Sequence, residues 1–291
     1  MKPAPFDYHD PTSVEEAIGL LASHENAQLL AGGQSLMPMM NFRMVAPDHL
    51  VDLNRVEGLA GIEVDGSTLR FGAMTRQRDI ELSPEVERRC PVLREALRHV
   101  GHCQTRNRGT IGGSICQLDP AAELVNIAAL HDGTLQAESP RGIRRLSLGE
   151  FAIGYMTHAL EPDELLTAVT LTPWSQDHGY AFIEVSPRRG DFAVVAVGIL
   201  IELDENDVIR RAAIAVSCLG PVPIRSAVVE AALVGETPSH EVLRGAAIEI
   251  GKLEAVSDAH VTAAYRQHLA RVLTYRALEC AASRARARRT A

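Results

Sequence analysis

Two paired glycines separated by some eighty residues constrain this chain more than anything else in it. The first pair sits in Ala31-Gly32-Gly33-Gln34-Ser35-Leu36, directly after a short apolar run; the second sits in Gly109-Thr110-Ile111-Gly112-Gly113-Ser114, between two helical segments. Paired glycines let backbone approach a ligand closely and adopt positive φ, so successive N–H groups can converge on one anion. Ser35, Thr110 and Ser114 add hydroxyl donors beside them. Either pair alone is compatible with a plain turn. Two of them, on different parts of the chain, suit a diphosphate held at the seam between two subdomains.

The rest of the pattern is that of a mixed fold. Thr12 and Glu15 read as a capping box for an amphipathic helix with Val14, Ala17, Ile18 and Leu21 on one face. Strands are expected at 28–31 and 50–53, with an irregular loop around Pro38 and Pro47 between them. Asp65-Gly66 between two apolar runs is a strong hairpin signal. Val92, Leu93, Ala96, Leu97 and Val100 mark a helix ending near Gly101, and Asp119-Pro120 is expected to open another that Gly133 closes. Farther on, the runs 193–203 and 208–217 form a hairpin over Asp204–Asp207, followed by helices near 226–234, 239–254 and 261–283, the last with Tyr265, Leu269 and Val272 on one face. The basic tail 284–289 reads as a solvated helix end.

Composition excludes several functions. A net charge of −8 disfavours general nucleic-acid binding, and no apolar run approaches the roughly 20 residues that span a bilayer. The absence of a signal-like stretch leads to the expectation of a cytoplasmic protein. Five cysteines, none in a C-x-x-C pair, suggest neither a zinc site nor a ligated cluster. His99, His102 and Cys103 have ligand-like spacing, but as a helix end they need no metal, and no metal site is expected. No G-x-G-x-x-G follows a strand, Gly245–Lys252 does not fit a P-loop, and no hydrolytic signature is present.

At the two glycine loops the sequence resembles the FAD-binding subunit of the xanthine dehydrogenase and carbon monoxide dehydrogenase (molybdenum hydroxylase) family. The matching segments run in order from Ala31–Leu36 through Gln104–Ser114, Asp119–Glu123, Gly154-Tyr155, Asp163–Leu166 and Arg188–Ala193 to Tyr265-Arg266. The resemblance implies an α+β chain: a two-subdomain FAD-binding fold of the vanillyl-alcohol oxidase type, residues 1–57 and 58–178, plus a C-terminal α+β domain, 179–291, with an antiparallel sheet and helices. It implies that Leu30, Ala31, Gly32, Gly33, Gln34, Ser35, Leu36 and Met37 form one cofactor loop and Thr110, Ile111, Gly112, Gly113 and Ser114 the other. Glu123 then matches a ribose-binding acid, Val100 and Leu166 apolar cofactor contacts, and Asp191 and Phe192 the segment near the flavin edge. Some relatives place a lysine near the flavin where Ile183 stands here, which removes a means of tuning it by charge. The resemblance further implies a small subunit with two 2Fe–2S clusters and a large molybdopterin subunit, assembled as a dimer of heterotrimers, with electrons passing through FAD to an external acceptor. A stand-alone FAD-dependent oxidase or reductase and a flavin-less assembly subunit are the alternatives.

Overall fold

The computed structural model describes residues 1–289, which form three main sheets and a separate two-stranded one. The first is small and wholly parallel: β1 (Asp7–His9), β2 (Ala27–Leu30) and β3 (His49–Asp52), in the order β1-β3-β2, with α1 (Val14–Ser23) and α2 (Leu36–Asn41) as its connections. The α1 cap lies one residue later than its sequence suggests. Ser13 accepts from the Glu16 amide, and the Glu16 carboxylate reaches back to the Thr12 N–H at 2.8 Å. Both Thr-x-x-Glu and Ser-x-x-Glu satisfy the pattern, and the register that buries Ala17, Ile18 and Leu21 decides between them. The loop expected around Pro38 contains α2 instead. Pro38 occupies the first helical turn, where a missing N–H costs nothing.

The second sheet is antiparallel, ordered β4-β5-β10-β6-β7 from β4 (Ile62–Asp65), β5 (Thr68–Gly72), β6 (Thr134–Ser139), β7 (Gly142–Ser147) and β10 (Leu165–Leu171), with the two-stranded β8 (Ala152–Gly154) and β9 (Thr157–His158) beside it. The Asp65-Gly66 hairpin forms as expected, with Gly66 at φ 56°. Between β5 and β6 run six short helices: α3 (Gln77–Leu82), α4 (Pro84–Arg89), α5 (Pro91–Leu97), α6 (Cys103–Arg108), α7 (Ile111–Gln117) and α8 (Glu123–Leu130); α9 (Leu148–Phe151) follows β7. Asp119-Pro120 does not open α8. Asp119 accepts from the Ala121 amide in a turn, and the helix starts three residues later.

The third sheet, β11-β12-β13-β14, comprises β11 (Gly179–Val185), β12 (Val195–Leu203), β13 (Ile209–Ser217) and β14 (Ile224–Arg225), backed by α10 (Ala227–Leu233), α11 (His240–Ile250) and the 27-residue α12 (Ala263–Arg289). All nine residues of β12 are buried because both faces are covered. Val195, Val197, Ile199 and Ile201 face α12, whereas Ala196 and Leu200 join the core of the second sheet. Between the latter two, Gly198 leaves room for Asn126 of α8, whose amide donates to the Ala215 carbonyl at 3.0 Å and to the Ser217 hydroxyl at 2.8 Å. On α12 the buried face includes Arg266, Leu269, Ala270, Leu273, Thr274, Ala277, Leu278 and Ala281, while Val272 is only partly buried and Tyr265 is half exposed, so the expected Tyr265, Leu269 and Val272 face is not the buried one. Nor is the basic tail merely solvated. Arg284 pairs with Glu95 at 2.8 Å and lies over the Tyr180 ring, and Arg286 pairs with Asp207 at 2.7 Å.

Gly179 is the tightest point of this packing, since a Cβ there would stand 1.8 Å from the Ala281 carbonyl oxygen. Backbone cannot move as a flexible side chain can. Gly179→Ala is therefore expected to destabilise the chain by about 3 kcal/mol, read as a drop in the thermal unfolding midpoint, whereas Gly245→Ala, with open space around it inside α11, raises the midpoint slightly, by about 0.5–1 kcal/mol of stability.

Candidate functional site

A cleft of about 930 Å³ lies where the first two sheets meet, with a loop from the third at one end. That is room for a dinucleotide. Its walls include Ala31, Gly32, Gly33, Gln34, Ser35 and Leu36 from the first loop and Thr110, Gly112, Gly113 and Ser114 from the second, along with Val100, Glu123, Leu166, Asp191 and Phe192. Three sequence candidates lie outside it. Leu30 Cδ1 and Met37 Cγ stand 3.3 and 3.1 Å from where a Gly33 Cβ would be and so back the loop; Ile111, 2% exposed, belongs to the hydrophobic core. Their apolar character had a packing cause.

The two glycine loops touch. A Cβ on Gly32 would sit 2.3 Å from the Arg108 carbonyl oxygen and 2.8 Å from the Gly109 Cα, so the backbones cross in direct contact. A Cβ on Gly112 would meet Ala73 at 2.6 Å, which seats α7 against the end of β5. Around the crossing is a polar clasp that sequence reasoning missed. Asn54 donates to the Ala31 carbonyl at 3.1 Å and accepts from Arg76, which also donates to the Arg108 carbonyl. The Gln77 backbone N–H donates to the Gly109 carbonyl at 2.9 Å. A lone Asn and a lone Arg carry no spacing signal, and only the fold brings them, with the backbone at Gln77, to the seam.

Amide satisfaction divides the loops. Among the described residues, the N–H groups of Gly32, Gly33, Gln34, Ser35 and Leu36 have no protein acceptor, and Gly33 turns the chain at φ 72°. In the second loop every amide from Ile111 to Ser114 is already engaged: Ile111 with the Thr75 carbonyl, Gly112 with Ala73, Gly113 with the Thr110 hydroxyl and Ser114 with the Thr110 carbonyl. The expectation of two converging sets of amides is thus corrected. The first loop offers backbone donors for an anion, and the second offers close approach plus the Ser114 hydroxyl, which has no protein partner among the described residues.

An ion pair stands next to Val100, which lines the cleft. Arg106, 8% exposed, binds Glu81 at 2.8 Å and donates to the Val100 carbonyl at 2.9 Å. Burial pushes the Glu81 carboxyl up, but hydrogen bonds from Arg106 and Arg78 more than offset it, and it stays below the usual carboxylate range. Glu123, at the start of α8, has no such partner. Burial raises it to about 8, with Glu184 and Asp119 adding to the rise. From the third sheet's side, the loop bearing Asp191 and Phe192 packs over this region: a Cβ on Gly190, itself at φ 83°, would meet the His102 ring at 2.8 Å. His102 and His99 are thereby accounted for structurally, the latter standing 3.3 Å from Glu184. Ile183 packs into the core under α12, not into the cleft wall.

This architecture has known counterparts. The family model for the FAD binding domain in molybdopterin dehydrogenase matches residues 4–174, and that for the carbon monoxide dehydrogenase flavoprotein C-terminal domain matches residues 180–281. The 6-hydroxypseudooxynicotine dehydrogenase complex subunit alpha of Paenarthrobacter nicotinovorans is 38% identical across 98% of this chain and 97% of its own length. The carbon monoxide dehydrogenase medium chain of Hydrogenophaga pseudoflava is 34% identical across 98% of this chain and 99% of its own length. Among solved structures, carbon monoxide dehydrogenase from the same organism superposes with a TM-score of 0.94 at 34% identity, covering 98% of this chain and 99% of that one. Quinoline 2-oxidoreductase from Pseudomonas putida 86 gives a TM-score of 0.94 at 32% identity, again covering 98% and 99%. With both of its halves matched and the free amides of the first loop facing the cleft, the chain belongs to the FAD-binding medium subunits of the xanthine and carbon monoxide dehydrogenase family.

Proposed function

We propose that the cleft holds FAD and that the chain passes electrons from an iron–sulfur partner, itself supplied by a molybdopterin subunit, to an external acceptor. The observation that carries this reading is the run of five unengaged amides at Gly32–Leu36, opening on a dinucleotide-sized cleft whose opposite wall is held in backbone contact. Those donors suit a diphosphate, with Ser35 and Ser114 as further hydroxyl donors. Glu123 is assigned to the adenosine ribose, Val100 and Leu166 to apolar cofactor contacts. Phe192, 76% exposed beside Asp191, is assigned to the flavin edge. When bound, FAD supplies the redox chemistry, and the protein's part is to position and shield it. On this reading residues 1–57 and 58–178 are the two cofactor-binding subdomains and 179–291 the third domain, in a dimer of heterotrimers. The relatives' names, which include dehydrogenase complex subunits, support a multi-subunit assembly. Among the described residues no helix is long and apolar enough to cross a membrane.

Replacing Gly32 by Ala drives a methyl group into the Arg108 carbonyl and parts the loops. The expected outcome is at least a tenfold loss of FAD affinity with circular dichroism unchanged. In the assembled complex, anaerobic substrate should still bleach the iron–sulfur absorbance while reduction of the acceptor fails. Full flavin occupancy in this variant would remove the loop assignment.

Glu123 gives a second expectation. The folded chain holds its proton up to about pH 8, whereas an unfolded glutamate releases it near 4.5. Between those values the folded state binds more protons, so this group's contribution to stability declines as pH rises. Glu123→Gln should therefore melt higher than the parent in the flavin-free chain at pH 8, the gap closing towards pH 5.

A further inference from the structure

The geometry points to a divalent transition-metal site of zinc type, built from His9, His24 and His49 and separate from the flavin cleft. The three histidines arrive from three different elements: His9 ends β1, His24 caps the C-terminus of α1, and His49 opens β3. Sequence spacing hides them, since fifteen and twenty-five positions separate neighbours; the parallel pairing of β1 with β3 and of β2 with β3 brings them together. One ring nitrogen of each lies within 4.8 Å of one from each of the others. His9 Nε2 and His49 Nδ1 are 3.1 Å apart, and the His24 and His49 rings meet edge-on with centroids 4.2 Å apart. A tetrahedral ion with Zn–N bonds of about 2.05 Å sets its ligand nitrogens about 3.4 Å apart. The observed spacing requires only small side-chain rotations to reach that.

Three further contacts have the character of a supporting shell. His24 Nδ1 is 3.1 Å from the Leu20 carbonyl and 2.9 Å from the Ser23 hydroxyl, and a proton donated to Leu20 leaves the lone pair on Nε2. Metal-ligating histidines are commonly oriented in this way. Asp7 Oδ2 stands 3.9 Å from His49 Nδ1, close enough to supply a fourth ligand or to orient a bound water. All three rings are half-buried, so they can be reached by an ion and still held in place. Imidazole donors with a carboxylate neighbour favour zinc, copper or nickel over magnesium or calcium. Because none of the three lines the cleft, the ion is assigned a structural role: it fastens the edge strand β1 and the end of α1 to β3.

The test is titration of Zn²⁺ alone into chelator-treated, tag-free, FAD-loaded full chain, followed by calorimetry and thermal unfolding. One equivalent should bind saturably and raise the unfolding midpoint, and Co²⁺ in its place should give the intense visible bands of four-coordination. His49→Ala and the milder His24→Gln should each weaken binding at least tenfold while FAD occupancy, which reports an intact fold, stays at the parent level. His268→Ala, at a surface histidine on α12, should change nothing. Absence of saturable binding in the parent chain, or equal affinity in parent and His24→Gln, overturns the site.

Discussion

The contact on which the rest of this structure depends is backbone against backbone, where Gly32 lies on Arg108 and Gly109. No residue with a Cβ fits at Gly32, and none fits at Gly112 against Ala73. Side chains at either point would hold the parallel sheet and the antiparallel sheet apart, and the cleft would be a wide gap. The polar clasp of Asn54, Arg76 and Gln77 then fixes the crossing laterally, tying the carbonyls of both loops. Close packing and hydrogen bonding do different work here: the first sets the separation and the second the register.

The two loops look alike in sequence and differ in chemistry. The second is the start of a helix whose donors are spent on Ala73, Thr75 and Thr110, so its glycines serve approach. The first leaves β2 through a left-handed turn at Gly33 and keeps its donors free. The third sheet contributes rigidity to this arrangement. Asn126 stitches α8 to β13, Arg284 bonds to Glu95 of α5, and Gly190 seats its loop on the Gly101-His102 turn. The helix that begins at Glu123 is thereby pinned from behind.

Much of this was legible in the chain. The Asp65-Gly66 hairpin and the long hairpin over Asp204–Asp207 are short-range signals, each made by turn residues between apolar runs, and both form. The register of α1, the helix at Pro38 and the buried face of α12 were not, because each is decided by what it packs against: two caps competed, and a helix rich in Ala and Arg shows no apolar stripe to distinguish Leu269 and Leu273 from Tyr265. Within the site, Leu30, Met37 and Ile111 share loops with true cleft residues, and sequence cannot say which side of a loop a side chain takes. The seam residues and the histidine cluster are long-range coincidences that only the fold creates.

The titratable groups around the cleft argue for a cofactor carrier over a chain that catalyses proton transfer by itself. A general acid and base need free groups with opposed proton states within reach of one substrate. Here Glu164 is locked to Arg144 at 2.6 Å and Asp191 to Arg188 at 2.9 Å, and Asp119 is occupied with the Ala121 amide. Burial pushes the Cys116 thiol up to about 12, far from a reactive thiolate, and lowers His158, whose Nδ1 accepts from the Leu160 amide. Glu123 keeps its proton near neutrality, which makes it a hydrogen-bond donor suited to a hydroxyl. Glu161 remains as an exposed carboxylate at the rim, without an opposing acid beside it among these residues. The walls are therefore equipped to bind, orient and exclude water, while the reacting electrons belong to what they hold.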